Sequence, residues 1–141
     1  MEPITRFSLE THTGPYEKWP SRTGLLVAGA PQAATIKGYT LLHQFKVGND
    51  YLLITDYDCP FEEAITFTLL DAQLRTCSHR TLGAPYASFL LEAVEVIYPR
   101  CLIATLYGGE RWCLTIRDRG IPYLRPRLML ARYPDRDPTA R

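Results

Sequence analysis

The sequence predicts an all-β domain, mainly antiparallel, built as a sandwich or a partly closed barrel of about seven or eight short strands with at most one short helix. From residue 39 onward, apolar and polar residues alternate in short runs. This is the period of a strand whose successive side chains point to opposite faces of a sheet. Turn-forming Gly, Pro, Asn and Asp residues separate the runs. Short strands joined by tight turns are typical of antiparallel sandwiches and barrels.

Eight segments carry the strand pattern. They are residues 39–47, 51–55, 64–70, 74–82, about 90–98, 101–107, 111–117 and 127–133. The third segment shows the pattern most clearly, because Ile65, Phe67 and Leu69 alternate with two threonines.

The segment 88–98 permits two interpretations. Its apolar residues from Phe89 to Ile97 have the spacing of one helix face, whereas residues 94–98 have the composition of a strand. We favour a strand from about Leu90, because Pro99 and the residue after it then form a turn into the next strand.

Residues 1–38 are predicted to be an irregular N-terminal arm, because four prolines alternate there with four glycines. Residues 39–133 form the predicted β domain, and the polar residues 134–141 form a C-terminal tail. Of the 141 residues, 46% are hydrophobic and 22% are charged. This composition is sufficient for one globular domain with one core, which needs no metal or disulfide for its stability.

Two global properties limit the classes of function. The N-terminus lacks the basic region and apolar run of a secretory signal, and no apolar stretch reaches membrane-spanning length. We therefore expect a cytoplasmic protein without membrane association, whose cysteines are free thiols. The net charge is +1, divided into −3 for residues 1–70 and +4 for residues 71–141. Such a balance favours neither nucleic acid nor an anionic membrane, but two charged poles suit recognition of a partner.

The densest group of polar side chains lies in residues 55–63, between the second and third predicted strands. Its carboxylates and aromatic residues are Asp56, Tyr57, Asp58, Phe61, Glu62 and Glu63. The simplest interpretation is a solvated turn that Pro60 holds rigid. A hard cation is a further candidate, but the segment lacks the glycine and the length of an EF-hand loop. A third interpretation is a binding surface, which we rank below the solvated turn and above the cation site. In it, the four carboxylates attract a basic protein partner and Tyr57 serves as an aromatic anchor.

No catalytic residue, metal ligand or cofactor is predicted. The four cysteines are Cys59, Cys77, Cys101 and Cys113. Although Cys77 and His79 share one face of a predicted strand, no two cysteines have the short spacing of a structural zinc site. The chain contains no nucleophile elbow, phosphate-binding loop or dinucleotide fingerprint. The sequence therefore favours a non-enzymatic protein, and the second hypothesis is a small-ligand or metal-dependent enzyme that uses the 56–63 carboxylates with His79 or Cys59.

Arginines near the C-terminus suggest a third function. The candidate anion-binding residues are Arg117, Arg119, Arg125 and Arg127. Interleaved with tyrosine, such a group suits phosphate or nucleic-acid binding. The near-neutral net charge and the absence of a nucleic-acid fold signature favour instead a solvated sheet edge, where charged side chains oppose aggregation.

Three segments carry a resemblance to a known class of protein. They are residues 51–63 (YLLITDYDCPFEE), 69–71 (LLD) and 109–112 (GERW). They resemble small uncharacterised bacterial β proteins of the toxin-immunity type, which inhibit by binding, over about half of the chain. The resemblance assigns no role to any residue. With the acidic segment it gives the leading prediction, a bacterial protein-binding module of inhibitor, immunity or regulatory type whose partner has a basic surface.

Overall fold

The structure is a computed structural model that describes residues 1–57, 64–83, 89–118 and 126–134. Within these ranges the chain forms twelve β-strands and one short 3₁₀ turn, Tyr16–Lys18. The strands are β1 (Glu2–Pro3), β2 (Phe7–Leu9), β3 (Arg22–Val27), β4 (Ala30–Lys37), β5 (Thr40–Val47), β6 (Asp50–Asp56), β7 (Ile65–Leu70), β8 (Thr76–Leu82), β9 (Leu91–Tyr98), β10 (Cys101–Leu106), β11 (Arg111–Ile116) and β12 (Leu128–Tyr133).

A central sheet has the strand order β1-β5-β6-β7-β8, and every neighbouring pair in it is antiparallel. Its strands β6 and β7 are buried on both faces, since five of the seven residues of β6 and all six residues of β7 are buried. In β6, Leu52 and Ile54 point to one face, whereas Tyr51 and Leu53 point to the other. Because both faces are apolar, a further layer must cover each side of the sheet.

One face of the central sheet is covered by the outer sheet, an antiparallel sheet with the order β12-β11-β10-β9. Phe45 and Phe67 of the central sheet pack there against Leu102, Leu114 and Leu128. Burial of one such side chain contributes about 1.5–3 kcal/mol. This core contains more buried side chains than the second core, on the opposite face of the central sheet.

The opposite face carries the N-terminal sheet, with the order β2-β3-β4. The core between these two sheets consists of Phe7, Leu25, Ile36, Tyr51, Leu53 and Leu70. The structure therefore differs from the irregular arm expected for residues 1–38, which instead supply a whole layer of the sandwich. The prolines and glycines do not prevent this, because several of them occupy edge, bulge and turn positions that sheets tolerate.

The predicted all-β class is confirmed, as a layered antiparallel sandwich. Each of the eight predicted strands is present, with ends that differ by at most two residues from those expected. The larger number of strands comes from the N-terminal region, which forms β1–β4. The described parts of the chain contain no α-helix with the length and apolarity that a membrane crossing requires.

The two sides of the sandwich formed by the central and outer sheets differ. On one side, called the closed side, β8 lies beside β12, and the N–H of Leu128 donates to Ser78 Oγ at 3.3 Å. Arg127 also binds Asp50 there, with Nη2 2.8 Å from Oδ2. On the other side, called the open side, β5 and the two-residue strand β1 face β9 across a groove.

Candidate functional site

The candidate site is β9, which forms the edge of the outer sheet on the open side. Six of its eight residues are exposed, although most of them are apolar. Val96 and Ile97 each expose 37% of their surface, and Tyr98 exposes 68%. Among the described residues no strand pairs with the outer edge of β9. Its backbone N–H and C=O groups on that edge are therefore open to another chain.

Two irregularities in the pairing with β10 divide β9 into a regular centre and two distorted ends. The regular centre comprises residues 93–96. Within it, Val94 and Val96 face the central sheet, whereas Ala93 and Glu95 face away from it. The outer edge of this centre is thus a short stretch for strand pairing, with valines on the face toward the central sheet and Ala93 and Glu95 on the other face.

A groove of about 470 Å³ lies between β9 and the central sheet. Phe45 lines it on one wall, and Val94 and Val96 on the other. Ile4 and Leu41 also border it, although both pack against the core on the opposite face of the central sheet. Because the groove opens to solvent, Val96 keeps more than a third of its surface exposed although it faces the central sheet. The open side therefore combines a strand edge that no described strand pairs with and a depression beneath it that is lined by both apolar and polar groups.

His43 also lines the groove, and its ring stacks on Phe45 with the ring centroids 6.2 Å apart and the planes at 13°. Burial lowers the pKa of His43 below its usual value of 6.5, because the charged imidazolium loses more hydration than the neutral ring. This part of the wall is therefore uncharged at neutral pH, which suits contact with apolar groups.

The charges on β9 are of one sign. Glu92 and Glu95 are both exposed, and the strand contains no lysine or arginine. The neighbouring strand β10 carries no charged residue. At the turn between these strands, the guanidinium of Arg100 is paired with Asp118. The edge therefore presents carboxylates to an approaching chain.

The segment predicted to bind the partner follows β6, and the structure describes its first two residues. Asp56 is half-buried at the end of β6, where its backbone oxygen accepts a hydrogen bond from the N–H of Tyr39 at 2.8 Å. The Tyr57 hydroxyl donates to the backbone oxygen of Ser21 at 2.9 Å, and its ring meets Tyr39 edge-on at 4.9 Å. Tyr57 is thus half-buried and in contact with Ser21 and Tyr39, and its role as an anchor stays a prediction. The other predicted residues, Asp58, Glu62 and Glu63, lie outside the described residues.

Tyr57 belongs to an aromatic cluster that also contains His12, Trp19 and Tyr39. The ring centroids of neighbouring members lie between 4.9 and 5.4 Å apart. Rings at these distances contact one another, as in ordinary aromatic packing, and leave no cage for a cation between them. The cluster fixes the chain before β3 against the ends of β4 and β6, and its role is structural.

Of the four arginines predicted to bind anions, the structure describes Arg117 and Arg127. The guanidinium of Arg127 pairs with Asp50, and its Nε donates to the backbone oxygen of Arg117 at 3.0 Å. Both side chains of the ion pair are largely buried, with 17% and 18% of their surface exposed. This geometry gives Arg127 a structural role on the closed side. Arg119 and Arg125 lie outside the described residues.

The described cysteines do not gather around a histidine. Cys101 and Cys113 lie on neighbouring strands with their Sγ atoms 2.9 Å apart, whereas Cys77 is exposed on β8. Burial, followed by the hydrogen bond with Cys113, raises the pKa of Cys101 to about 11, so this thiol is protonated and weakly nucleophilic at neutral pH. Cys59 lies outside the described residues. Within the described ranges no three His, Cys, Asp or Glu side chains are placed to hold a metal ion.

Comparisons with models of protein families, with curated proteins and with solved structures return no match to this chain. The function is therefore inferred from the geometry of the site.

The sequence identified residues 90–98 as a strand but not as a site. Whether a strand lies at an edge depends on which strands pair, and a single sequence does not show this. One signal was present, because Val94, Val96, Ile97 and Tyr98 place apolar side chains on both faces of one strand. A strand of an outer sheet normally buries only one of its two faces, so some of these apolar side chains must stay exposed.

Proposed function

We propose that this chain acts by binding a partner protein, with β9 and the groove beneath it as the contact surface. The observation that carries the proposal is the exposure of Val96, Ile97 and Tyr98 on a strand whose outer edge is unpaired within the described residues. Exposed apolar side chains concentrated on one strand favour an interaction site. Apolar edge strands are normally covered, shortened or blunted because they promote association. An uncovered β9 therefore supports a binding role.

The partner is proposed to have a basic surface. Glu92 and Glu95 lie on β9 without a basic neighbour on β9 or β10, so they attract positive charge and repel acidic proteins. The acidic segment, through Asp56, Asp58, Glu62 and Glu63 with Tyr57, is proposed as a further acidic element that attracts the same basic partner. In line with the resemblance to toxin-immunity proteins, we propose an inhibitory or regulatory role in a bacterial cytoplasm.

The test compares three immobilised proteins in lysate from the organism that makes the chain. They are the wild type, the edge variant Glu92→Lys/Glu95→Lys, and the control Glu10→Lys/Glu17→Lys, whose exposed side chains lie away from β9. Both variants change the net charge equally. We expect the wild type and the control to retain one protein in equimolar amount, and the edge variant to lose it. Calorimetry with the purified partner should reproduce this order.

Thermal unfolding of all three proteins provides the control for folding. Since the substituted residues are exposed, the unfolding free energies should agree within about 0.5 kcal/mol. If the edge variant retains the same partner as strongly as the control does, β9 is not the contact surface. If the wild type retains no stoichiometric partner, the proposed function itself is wrong.

A further inference from the structure

We infer that the partner docks through an extended segment that pairs with β9 as an additional strand, and that apolar residues alternate with lysine or arginine along this segment. The inference rests on the proposed protein-binding function and specifies the chemistry of the partner. Three features of the open side support it: the alternation of side chains on β9, the shape of the groove, and the sign of the charges.

A strand added to β9 must follow the alternation of the regular centre, residues 93–96. Side chains opposite Val94 and Val96 point into the groove toward Phe45, where apolar groups bury surface. A side chain opposite Glu95 points outward, and its Cβ atom lies about 4.5–5.5 Å from the Cβ atom of Glu95. Opposite charges stabilise such a pair. The incoming segment is therefore apolar at every second position and basic between.

The groove leaves space beside β9 for the inward side chains of such a segment. β1 covers β5 only at Glu2 and Pro3, and Ile4 adds one further hydrogen bond, to the backbone oxygen of Gln44 at 3.1 Å. The remaining space is about 470 Å³, as large as many small-molecule pockets, and so has room for several side chains. A strand beside the regular centre of β9 would place its inward side chains in this space, next to the N-terminus, whose Met1 ammonium donates to the backbone oxygen of Pro99 at 3.0 Å.

The charges argue against a second copy of this chain as the occupant. When the regular centre of β9 pairs symmetrically and antiparallel with itself, the two Glu95 side chains stand directly opposite each other or one diagonal step apart. Like charges at these positions are destabilising. Glu92 adds a further carboxylate to each edge. A basic segment from another protein relieves this repulsion, whereas a second β9 increases it.

The experiment is an NMR titration of the ¹⁵N-labelled full chain with a synthetic peptide of about nine residues in which valine and lysine alternate. A peptide concentration up to about 1 mM detects even weak binding. We expect saturable chemical-shift changes confined to β9 and the groove residues, together with slower amide hydrogen exchange along β9. A peptide with glutamate in place of lysine should produce none of these changes.

Two methylated forms of the peptide test the strand pairing. In an antiparallel pair, the N–H groups of alternate residues point toward the same neighbour. One form carries a methyl group on the backbone nitrogen of every valine, and the other form on that of every lysine. Only one of these two sets of nitrogens points toward β9, so methylation blocks pairing with β9 in one form and not in the other. We expect the two forms to differ at least about tenfold in affinity, because several backbone hydrogen bonds are lost in one of them.

A charge exchange tests the recognition of Glu92 and Glu95. The variant Glu92→Lys/Glu95→Lys should lose the lysine peptide and bind the glutamate peptide instead, whereas Glu10→Lys/Glu17→Lys should behave as the wild type does. Equal binding of both peptides by the wild type would overturn the charge assignment. Equal affinity of the two methylated forms would overturn strand addition.

Two further outcomes distinguish this inference from the proposed function. If the lysate experiment yields a partner that depends on β9 but the lysine peptide causes no saturable shift, strand addition is overturned and the binding function stands. If the wild type forms a concentration-dependent dimer with shifts along β9, the occupant is a second copy and the inference is overturned. Binding of the lysine peptide with the expected pattern supports it.

Discussion

The closed and open sides of the sandwich are built from similar residues but reach different degrees of burial. On the closed side, Leu128 of β12 is fully buried and its N–H donates to Ser78 of β8. On the open side, Val96 of β9 also faces the central sheet, yet 37% of its surface stays exposed. Both strands are edges of the same sheet. Within the described ranges, the difference arises because β8 extends beside β12, whereas on the open side only the two-residue strand β1 and Met1, which donates to the backbone oxygen of Pro99, approach β9.

This difference separates apolar residues that stabilise the fold from apolar residues that remain available for contacts. Leu128 belongs to the core between the central and outer sheets, so its removal leaves a cavity. Removing an exposed side chain leaves little empty space, because water already occupies part of its surroundings. The cost of truncation should therefore follow the side of the sandwich on which a residue lies.

The largest expected effect is the destabilisation caused by Leu128→Ala. Loss of a fully buried leucine side chain costs about 2–5 kcal/mol of unfolding free energy. Val96→Ala should cost about 1 kcal/mol or less, since Val96 loses fewer atoms and was only partly buried. Urea unfolding of the two variants beside the wild type measures both values.

A matched pair within the outer sheet controls for residue type. Ile116 is 2% exposed and Ile97 is 37% exposed, so Ile116→Ala should be much more destabilising than Ile97→Ala. If truncations on β9 cost as much as those in the core, the apolar residues of β9 serve stability, and their exposure carries no information about binding.

The second effect concerns the ion pair that helps to hold the closed side. Arg127→Met or Asp50→Asn leaves the other charge in a largely buried position, and we expect each change to cost roughly 1–3 kcal/mol. The double variant should cost less than the two single variants together, because it leaves no unpaired charge. Urea unfolding of the four proteins gives the coupling energy. A coupling near zero would return Arg127 to the group of candidate anion-binding residues.

The strands of the main sandwich could be predicted because their alternation and turn residues are local properties of the sequence. The N-terminal sheet could not be predicted in this way. β3 and β4 are joined by Ala28 and Gly29, whose φ angles are +49° and +81°. This two-residue turn requires positive φ at both positions, and alanine is not among the residues that normally indicate it. Pro31 lies on β4, which is tolerated because β4 is an edge strand.

The site was harder to predict than the fold, because its features depend on contacts between distant segments. Asp56 and Tyr57 lie where the sequence places them, at the end of β6. The packing of Tyr57 depends on Ser21 and Tyr39, and the ion pair of Arg127 depends on Asp50. None of these partners can be identified from spacing in the chain. The edge position of β9 is likewise a property of the sheet order.

A smaller effect is a pH dependence that arises at the groove. Because burial lowers the pKa of His43, the folded state favours the neutral ring. Above about pH 6.5 the ring is neutral in both states, and the full stability is present. As the pH falls below this value, the unfolded chain binds a proton first, so stability is lost until the lower pKa of the folded state is reached.

Thermal unfolding at pH 7.5 and pH 5.5 measures this loss of stability. We expect His43→Gln to lose less stability between the two pH values than the wild type does. His79 shifts in the same direction, first through burial and then through Lys37, Arg22 and Arg80, so His79→Gln provides the comparison on β8. If His43→Gln keeps the whole pH dependence, the wall of the groove is too hydrated to disfavour the charged ring, and partial desolvation of His43 in the groove is contradicted.

The smallest effect on stability is expected for Glu92→Gln/Glu95→Gln. Both side chains are exposed, so the unfolding free energy should change by no more than about 0.5 kcal/mol. The association state should change instead, because charged side chains on an edge strand oppose pairing with other edges. We expect this variant to self-associate in sedimentation velocity as its concentration rises, while the wild type and Glu10→Gln/Glu17→Gln stay monomeric. If this variant stays monomeric, repulsion between carboxylates is not what keeps two β9 edges apart. The charge argument against a second copy on β9 would then be wrong.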